Sequence, residues 1–274
     1  MAVTMADITH LRKMSGAGMM DCKQALEEAG NDFEKAMEII RKKGQAVAAK
    51  RSDREASEGC VLAAHEGGFA AAVALKCETD FVAKNGEFIA LTKSILDVAM
   101  ARKPATLQDL LAAPLSDGRT AGEHITDRIG VTGEKMELGF YESVSGASTI
   151  SYIHPGNKLA TVVSFNGAIE YQVARDVAMQ VAAMNPVAVS PEEVPQKVVE
   201  TEKEIARDKA RQAGKPDNLL ERIAEGALQK FYKESTLLQQ DFVKDEKLTI
   251  LQYLRKQDNA LTVTAFKRVT LNVD

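Results

Sequence analysis

The chain has 274 residues, of which 45% are hydrophobic and 27% are charged, and its formal net charge is −4. This composition is typical of a globular protein with buried cores, and the length allows one large domain or two to three small ones. The acidic balance argues against a protein held mainly by nucleic acid or anionic lipid. No apolar run approaches the roughly 18 residues that span a membrane. We therefore expect no direct nucleic-acid partner and no membrane partner.

The cysteines Cys22, Cys60 and Cys77 are odd in number and share no CxxC spacing. This pattern favours reduced, buried thiols and indicates neither a disulfide framework nor a zinc site. The N-terminal sequence MAVTMADITHLRK lacks the apolar core of a signal peptide. These features predict a cytoplasmic protein.

Residues 1–45 have the apolar spacing of three short helices. Asn31 is placed to cap the third helix, and Gly30 and Gly44 are placed to end the helices that precede them. Residues 46–57 lose the apolar periodicity and gain charge. We predict a compact three-helix domain followed by a frayed helix end and a linker.

The segment SGAGMM, residues 15–20, lies between the first two predicted helices. Neighbours on a helix do not share a face, so at least one of Met19 and Met20 is expected at the surface. An exposed methionine is an adaptable contact for the apolar patch of a partner. Lys23 follows on the same segment and adds a charge. The alternative is a glycine turn with one core methionine and one incidental surface methionine.

The middle of the chain repeats a hairpin-and-helix unit. The strands GFAAAVALKC (68–77) and NKLATVVSFN (157–166) each end a hairpin, and each leads to an amphipathic helix that contains the tetrapeptide DVAM. Alternating residues predict third strands at 134–144 and 262–271. The expected fold class is therefore α+β, with a duplicated core of two three-stranded antiparallel sheets and helices on one face.

The first copy of the repeat carries about ten more residues between strand and helix than the second copy. The extra length matches ETDFVAKNGE, residues 78–87, which places Asp80, Phe81 and Val82 in a polar connection. An insertion that the repeat does not require is a candidate binding element. The alternative is that Phe81 and Val82 fold back and cap the helix against the core.

Between the second repeat helix and the last strand, the sequence predicts an antiparallel helical hairpin with a charged outer face and a break at GKP. The predicted apolar seam consists of Val194, Val198, Thr201 and Ile205 on one helix and Leu220, Ile223, Ala227 and Phe231 on the other. The hairpin, residues 191–232, is inserted in the second core subdomain, which comprises residues 146–190 and 233–274. The first core subdomain is predicted at 58–145.

No constellation of residues indicates an enzyme. His10, His65, His124 and His154 are scattered without ligand spacing, and the motifs GxSxG, GxGxxG and HExxH are absent from the sequence. Asp80 has no obvious partner nearby for paired acid–base chemistry. We predict that the chain is not an enzyme and uses no cofactor and no metal of its own.

Two segments carry a resemblance to a known family. SGAGMMDCKQAL (15–26) and CETDFVAKN (77–85) resemble the signature segments of bacterial translation elongation factor Ts, the guanine nucleotide exchange factor for elongation factor Tu. The resemblance extends over essentially the whole chain. It implies that the N-terminal domain is UBA-like (of the ubiquitin-associated type), that Met19, Met20 and Lys23 contact elongation factor Tu, and that the hairpin is a coiled-coil arm.

The resemblance also implies roles for the inserted segment. Asp80 and Phe81 match residues that enter the nucleotide domain of elongation factor Tu near its magnesium site. The loop Thr79, Asp80, Phe81 and Val82 would displace Mg²⁺ and promote GDP release, and His154 matches a hairpin-turn residue that contacts the partner. A homodimer in a 2:2 complex is possible in this family. The alternative function is a non-exchanging adaptor or chaperone-like interaction module.

Overall fold

The computed structural model describes residues 2–272, so Met1, Val273 and Asp274, at the ends of the predicted outer domains, lie outside the described residues. The α-helices are α1 (Met5–Ser15), α2 (Met19–Glu28), α3 (Phe33–Lys50), α4 (Asp80–Ala83), α5 (Gly86–Arg102), α6 (Leu107–Ala112), α7 (Ala121–Thr132), α8 (Tyr171–Met184), α9 (Gln196–Gln212), α10 (Asp217–Ser235) and α11 (Ile250–Arg255). The strands are β1 (Glu58–Glu66), β2 (Phe69–Cys77), β3 (Met136–Ser145), β4 (Ser148–Ile153), β5 (Leu159–Phe165), β6 (Asp241–Phe242), β7 (Asp245–Thr249) and β8 (Val263–Thr270). Within residues 2–272, none of these helices is both long and apolar enough to cross a bilayer.

Two three-stranded antiparallel sheets form the centre of the molecule, with strand orders β1–β2–β3 and β4–β5–β8. Each sheet is completed by the predicted third strand, so the α+β class and the two sheets are confirmed. In the first hairpin Glu66 pairs with Phe69, which leaves Gly67 and Gly68 as the turn. The small sheet β6–β7 was not predicted.

The two sheets pack face to face, and helices cover their outer faces. Ala70, Ala72 and Ala74 of β2 belong to a buried cluster with residues of β5 and β8. The alternate residues Val73 and Leu75 belong to a second cluster with α5 and α7. Because successive side chains of a strand point to opposite faces, β2 is buried on both sides. This burial explains its near-continuous apolar sequence.

Helices α1 to α3 have a small core of their own, formed by Ile8, Leu11, Ala17, Cys22, Ala25, Leu26 and Ala36. The cap of α3 differs from the prediction. Asp32 is the N-cap, and its side chain accepts hydrogen bonds from the amides of Glu34 and Lys35. Asn31 instead has a positive φ of 68°, because the turn from α2 uses both Gly30 and Asn31 in left-handed conformations.

The prediction that Gly44 ends the third helix is wrong, because α3 continues to Lys50. Gly44 lies where α3 crosses α7, and a Cβ atom built on Gly130 would lie 2.6 Å from the Cα atom of Gly44. The two glycines therefore permit a close helix crossing. Glycine here serves packing, which the sequence alone does not distinguish from a helix stop.

Helices α9 and α10 form the predicted antiparallel hairpin, with the break at Gly214–Pro216. The seam between them differs from the prediction, since it buries Ala206, Ala210, Leu220, Ala224 and Leu228. Thr201, Ile205 and Ala227 of the predicted seam are exposed, Ile205 by 40%. Small alanines let the two backbones approach, so the larger Ile205 is displaced to the flank.

Ion pairs stabilise the outer face of the hairpin. Glu204–Arg207 and Asp208–Arg211 are paired within α9 at 3.0 and 2.6 Å. Lys203 reaches across the hairpin to Glu225 at 2.8 Å. Solvent screens exposed pairs of this kind, so they position the helices more than they stabilise the fold.

Candidate functional site

The predicted site residues Asp80, Phe81 and Val82 lie on the one-turn helix α4, which follows β2. Thr79 is its N-cap and accepts a hydrogen bond from the Val82 amide at 3.4 Å. The Thr79 hydroxyl donates to Glu134 Oε1 at 2.6 Å, and the Thr79 amide donates to Oε2 at 3.1 Å. The start of α4 is therefore fixed to the segment between α7 and β3.

Glu78, which precedes this turn, is held by a second set of contacts. Its carboxylate accepts a hydrogen bond from the Lys135 amide at 2.6 Å and contacts Arg51 and Arg54 at 3.4 and 3.1 Å. These interactions hold the pKa of Glu78 below its usual value, and the backbone hydrogen bond from Lys135 is the largest cause. The carboxylate thus ties α4 to the chain that leaves α3.

The side chains of α4 divide between solvent and core. Phe81 is 83% exposed, whereas Ala83 is buried and Val82 is half-buried against the cluster beneath α5. Of the two alternatives, outward presentation therefore holds for Phe81, and folding back against the core holds for Val82. A single exposed phenylalanine on a fixed turn offers nearly all of its apolar surface to a partner.

The carboxylate of Asp80 is half-exposed beside Phe81. Lys84, one turn along, donates to it at 2.7 Å. This hydrogen bond is the largest cause of a pKa for Asp80 below its usual value, and Lys158 lowers the pKa further. Asp80 is therefore negatively charged at neutral pH.

His154 lies exposed in the turn between β4 and β5. Its amide donates to the Leu159 carbonyl at 2.8 Å, and its Nδ1 lies 3.1 Å from the Tyr152 hydroxyl. The Asn157 carbonyl accepts a hydrogen bond of 2.7 Å from the Val61 amide. This bond fixes the turn that carries His154 to β1 of the other sheet.

The structure brings the α4 turn and the β4–β5 turn together at one end of the two sheets. A cleft of about 240 Å³ separates them. Asp80 and Lys84 line one side, and Gly156, Asn157 and Lys158 line the other. Two segments that are more than 70 residues apart in sequence thus line one cleft beside the α4 turn.

The three-helix domain presents a second candidate surface at the start of α2. Met19 and Met20 are 41% and 74% exposed, and Lys23 is exposed as well. The prediction that at least one of these methionines reaches the surface is confirmed. Sequence reasoning did not single out Met5 and Met14, which are also exposed on this domain. Each lies three residues from a core residue, Ile8 or Leu11, so helical spacing alone does not identify either as exposed.

The chemistry of these surfaces is that of binding. Burial raises the pKa of Cys60 to about 11 and that of Cys77 to about 12, so both thiols are protonated at neutral pH. Among residues 2–272 there is no cluster of three or more His, Cys, Asp or Glu residues that could hold a metal ion. The exposed ring, the charged carboxylate and the methionine pair fit protein recognition.

Comparison with known proteins places the chain in a family. The family model described as Elongation factor TS matches residues 78–272, which begin at the α4 turn and include β3 and all of the β4–β5–β8 sheet. The chain belongs to the elongation factor Ts family. It is 74% identical over 274 residues to elongation factor Ts of Porphyromonas gingivalis, with all of both chains covered. Elongation factor Ts proteins of Azobacteroides pseudotrichonymphae and Phocaeicola vulgatus are 55% and 47% identical, again over the whole of both chains.

Proposed function

We propose that this member of the elongation factor Ts family is a guanine nucleotide exchange factor for elongation factor Tu. It binds the GDP-bound form and promotes release of GDP and Mg²⁺ by inserting the Asp80–Phe81 turn near the magnesium site. The observation that carries the proposal is the 83% exposure of Phe81 on a turn fixed at its base by Glu134. Family membership supports the same conclusion.

Exchange of this kind needs binding energy and no covalent step, so the chain acts without being the catalyst of a chemical reaction. Phosphate contacts and Mg²⁺ hold a bound nucleotide. A factor that binds the nucleotide-free form more tightly shifts the equilibrium towards that form. By linkage, GDP weakens binding of the factor by the same ratio as the factor weakens binding of GDP.

The contribution of Phe81 follows from its exposed surface. Full burial of a phenylalanine side chain contributes about 1.5–3 kcal/mol. A tenfold change in rate corresponds to about 1.4 kcal/mol. Phe81 alone therefore accounts for about a ten- to a hundredfold acceleration of release, and the remaining contacts supply the rest.

The other site residues have complementary roles. Asp80, charged at neutral pH, competes for the groups around Mg²⁺, while Thr79 and Val82 hold the turn in shape. Met19, Met20 and Lys23 contact the nucleotide domain of elongation factor Tu. His154 contacts the same partner from the adjacent β4–β5 turn, whose residues Gly156, Asn157 and Lys158 line a cleft with Asp80.

The proposal is tested by release of a fluorescent GDP analogue from elongation factor Tu, with the parent chain and with Phe81→Ala. We expect the variant to lower the acceleration about ten- to a hundredfold. Phe140→Ala, which removes an exposed ring on β3 outside the site, is the matched control and should retain parental activity. A Phe81→Ala variant as fast as the parent contradicts the insertion role. Binding without accelerated release by the parent indicates a non-exchanging adaptor.

We further propose the finer organisation that the family resemblance implies. The proposed units are a UBA-like domain at 1–45, a linker at 46–57, core subdomains at 58–145 and at 146–190 with 233–274, and a coiled-coil arm at 191–232. Because α3 extends to Lys50, its last turn belongs to the proposed linker. The proposed site of action is the cytoplasm. Sedimentation of the complex with elongation factor Tu tests whether two copies of each protein assemble as a 2:2 complex.

A further inference from the structure

Helix α7 is the core helix against which the three-helix domain packs. At the crossing, a Cβ atom on Gly130 would lie 2.6 Å from the Gly44 Cα atom, which leaves no room for a side chain. A Cβ atom built on Gly16, in the turn before α2, would lie 3.7 Å from the Val131 side chain. Beside this crossing the domain and the core are separated by a cleft of about 450 Å³. The contact with α7 therefore sets the position of the domain.

The same helix is tied to both ends of the α4 turn. Arg128 donates to Asn85 Oδ1 at 3.1 Å and pairs with Glu87 at 2.5 Å, immediately after the turn. Beyond the C-terminal end of α7, Glu134 accepts both hydrogen bonds from Thr79, immediately before the turn. Arg128 also approaches the turn before α2, since its Nη1 atom would lie 4.0 Å from a Cβ atom on Gly16.

We infer that α7 is a spacer that fixes the Met19–Met20 surface relative to Phe81, with Gly130 and Arg128 as positioning residues that do not themselves contact elongation factor Tu. This inference rests on the proposed function, because it assigns both surfaces to one partner. Linking two contact surfaces rigidly makes the second contact intramolecular. Preorganisation of this kind increases affinity by lowering the ordering cost of binding.

Gly130→Ala tests the spacer without altering either contact surface. The added methyl group must push α3 away from α7, because the atom it meets belongs to backbone. Gly122→Ala is the matched control on the same helix, since its Cβ atom would meet the Leu111 carbonyl at an ordinary 3.5 Å. Spin labels on Gln24→Cys in α2 and Lys93→Cys in α5 report the domain position by their distance distribution. Both positions are exposed, whereas the three native cysteines are buried.

We expect Gly130→Ala to shift or broaden this distribution and Gly122→Ala to leave it unchanged. In the exchange assay Gly130→Ala should lower kcat/KM about tenfold, mainly through a higher KM. A tenfold change corresponds to about 1.4 kcal/mol. Met20→Ala should lower kcat/KM about tenfold in the parent but less than twofold in the Gly130→Ala background, because the displaced domain no longer contributes its contact. An unchanged distribution overturns the inference, and so does a full Met20→Ala effect in the Gly130→Ala background.

Arg128→Met provides the same test should Gly130→Ala fail to fold. It keeps the apolar stem but removes the bonds to Asn85 and Glu87, so the distance distribution should broaden. A parental distribution and a parental KM in this variant overturn the inference. The distances between the spin labels are measured without elongation factor Tu. They therefore test the spacer role of α7 even when Phe81→Ala contradicts the proposed function.

Discussion

Replacing Thr79 by valine tests whether the base of the α4 turn holds Phe81 in place. The substitution keeps the shape of the side chain but removes the hydroxyl, which donates to Glu134 at 2.6 Å and accepts from the Val82 amide at 3.4 Å. A hydrogen bond to a charged acceptor contributes about 1.5–3 kcal/mol, and an N-cap contributes about 0.5–2 kcal/mol. The Thr79 amide bond to Glu134 remains, so we expect a local loss near the lower ends of these ranges.

The local loss is measured by amide hydrogen exchange within α4. The amides of Ala83 and Lys84 donate to the carbonyls of Thr79 and Asp80 at 3.1 Å and report whether the turn is closed. A loss of about 1.4–2.8 kcal/mol lowers their protection about ten- to a hundredfold. The decrease cannot exceed the protection that the closed turn gives these amides in the parent. Residues in the sheets should keep their protection.

The same variant should weaken exchange less than removal of the ring. A turn that is closed only part of the time reduces apparent affinity by that fraction, whereas Phe81→Ala removes the contact in every molecule. We expect kcat/KM to fall several-fold for Thr79→Val. Thr201→Val is the control, because Thr201 is an exposed mid-helix threonine whose hydroxyl donates to the Lys197 carbonyl of its own helix. Unchanged protection of Ala83 and Lys84 in Thr79→Val refutes the reasoning.

Two further predictions concern the cores. Phe88→Ala, at a fully buried position of α5, should lower the free energy of unfolding by about 3–5 kcal/mol in urea titrations, and a loss below about 1 kcal/mol contradicts the assigned packing. Asp176 is buried on α8, and although burial raises its pKa, hydrogen bonds from Lys244 and Tyr253 lower it below its usual value overall. A lowered pKa means that the carboxylate stabilises the fold above its usual pKa and loses this effect as the pH falls through the folded value. Asp176→Asn should therefore have a lower free energy of unfolding than the parent at neutral pH, and this difference should decrease towards pH 3. A difference that increases in acid contradicts the assignment.

The sheets were predictable because their information is local and repeated. Alternating residues and glycine turns identify each hairpin, and the recurrence of the unit identifies its partner. Helix α7 was not predicted, although Thr120 and Glu123 form a capping box and Ala121, Ile125 and Ile129 share one face. This signal was present in the sequence and is the kind on which the prediction of other helices relied.

Other features depend on tertiary structure. The hydrogen bond from Thr79 to Glu134 joins residues 55 positions apart, and no periodicity in the sequence indicates such a pair. Gly44 illustrates the same limit, because a glycine that ends a helix and a glycine that admits a crossing helix are identical in sequence. The predicted hairpin seam was wrong for a related reason. Several sets of residues on each helix satisfy the spacing of three and four residues, and contact between the helices selects the set with small side chains.

The two halves of the core provide an internal control for the role of Phe81. In the first half, residues 78–85 connect β2 to α5 and form α4, whereas in the second half residues 166–170 connect β5 to α8 directly. The two connections therefore differ by three residues (8 − 5) and not by the predicted ten, because α5 also begins further before its DVAM segment than α8 does. The second half has its own buried cluster without an equivalent of α4, so the fold does not need the turn. An exposed phenylalanine adds no core contact and leaves apolar surface in water, yet the bonds of Thr79 to Glu134 and of Glu78 to Lys135 fix the turn that carries it. A fixed support for a side chain that contributes nothing to the core fits a partner that receives it, and this is the physical basis of the proposal that the Asp80–Phe81 turn acts in nucleotide exchange.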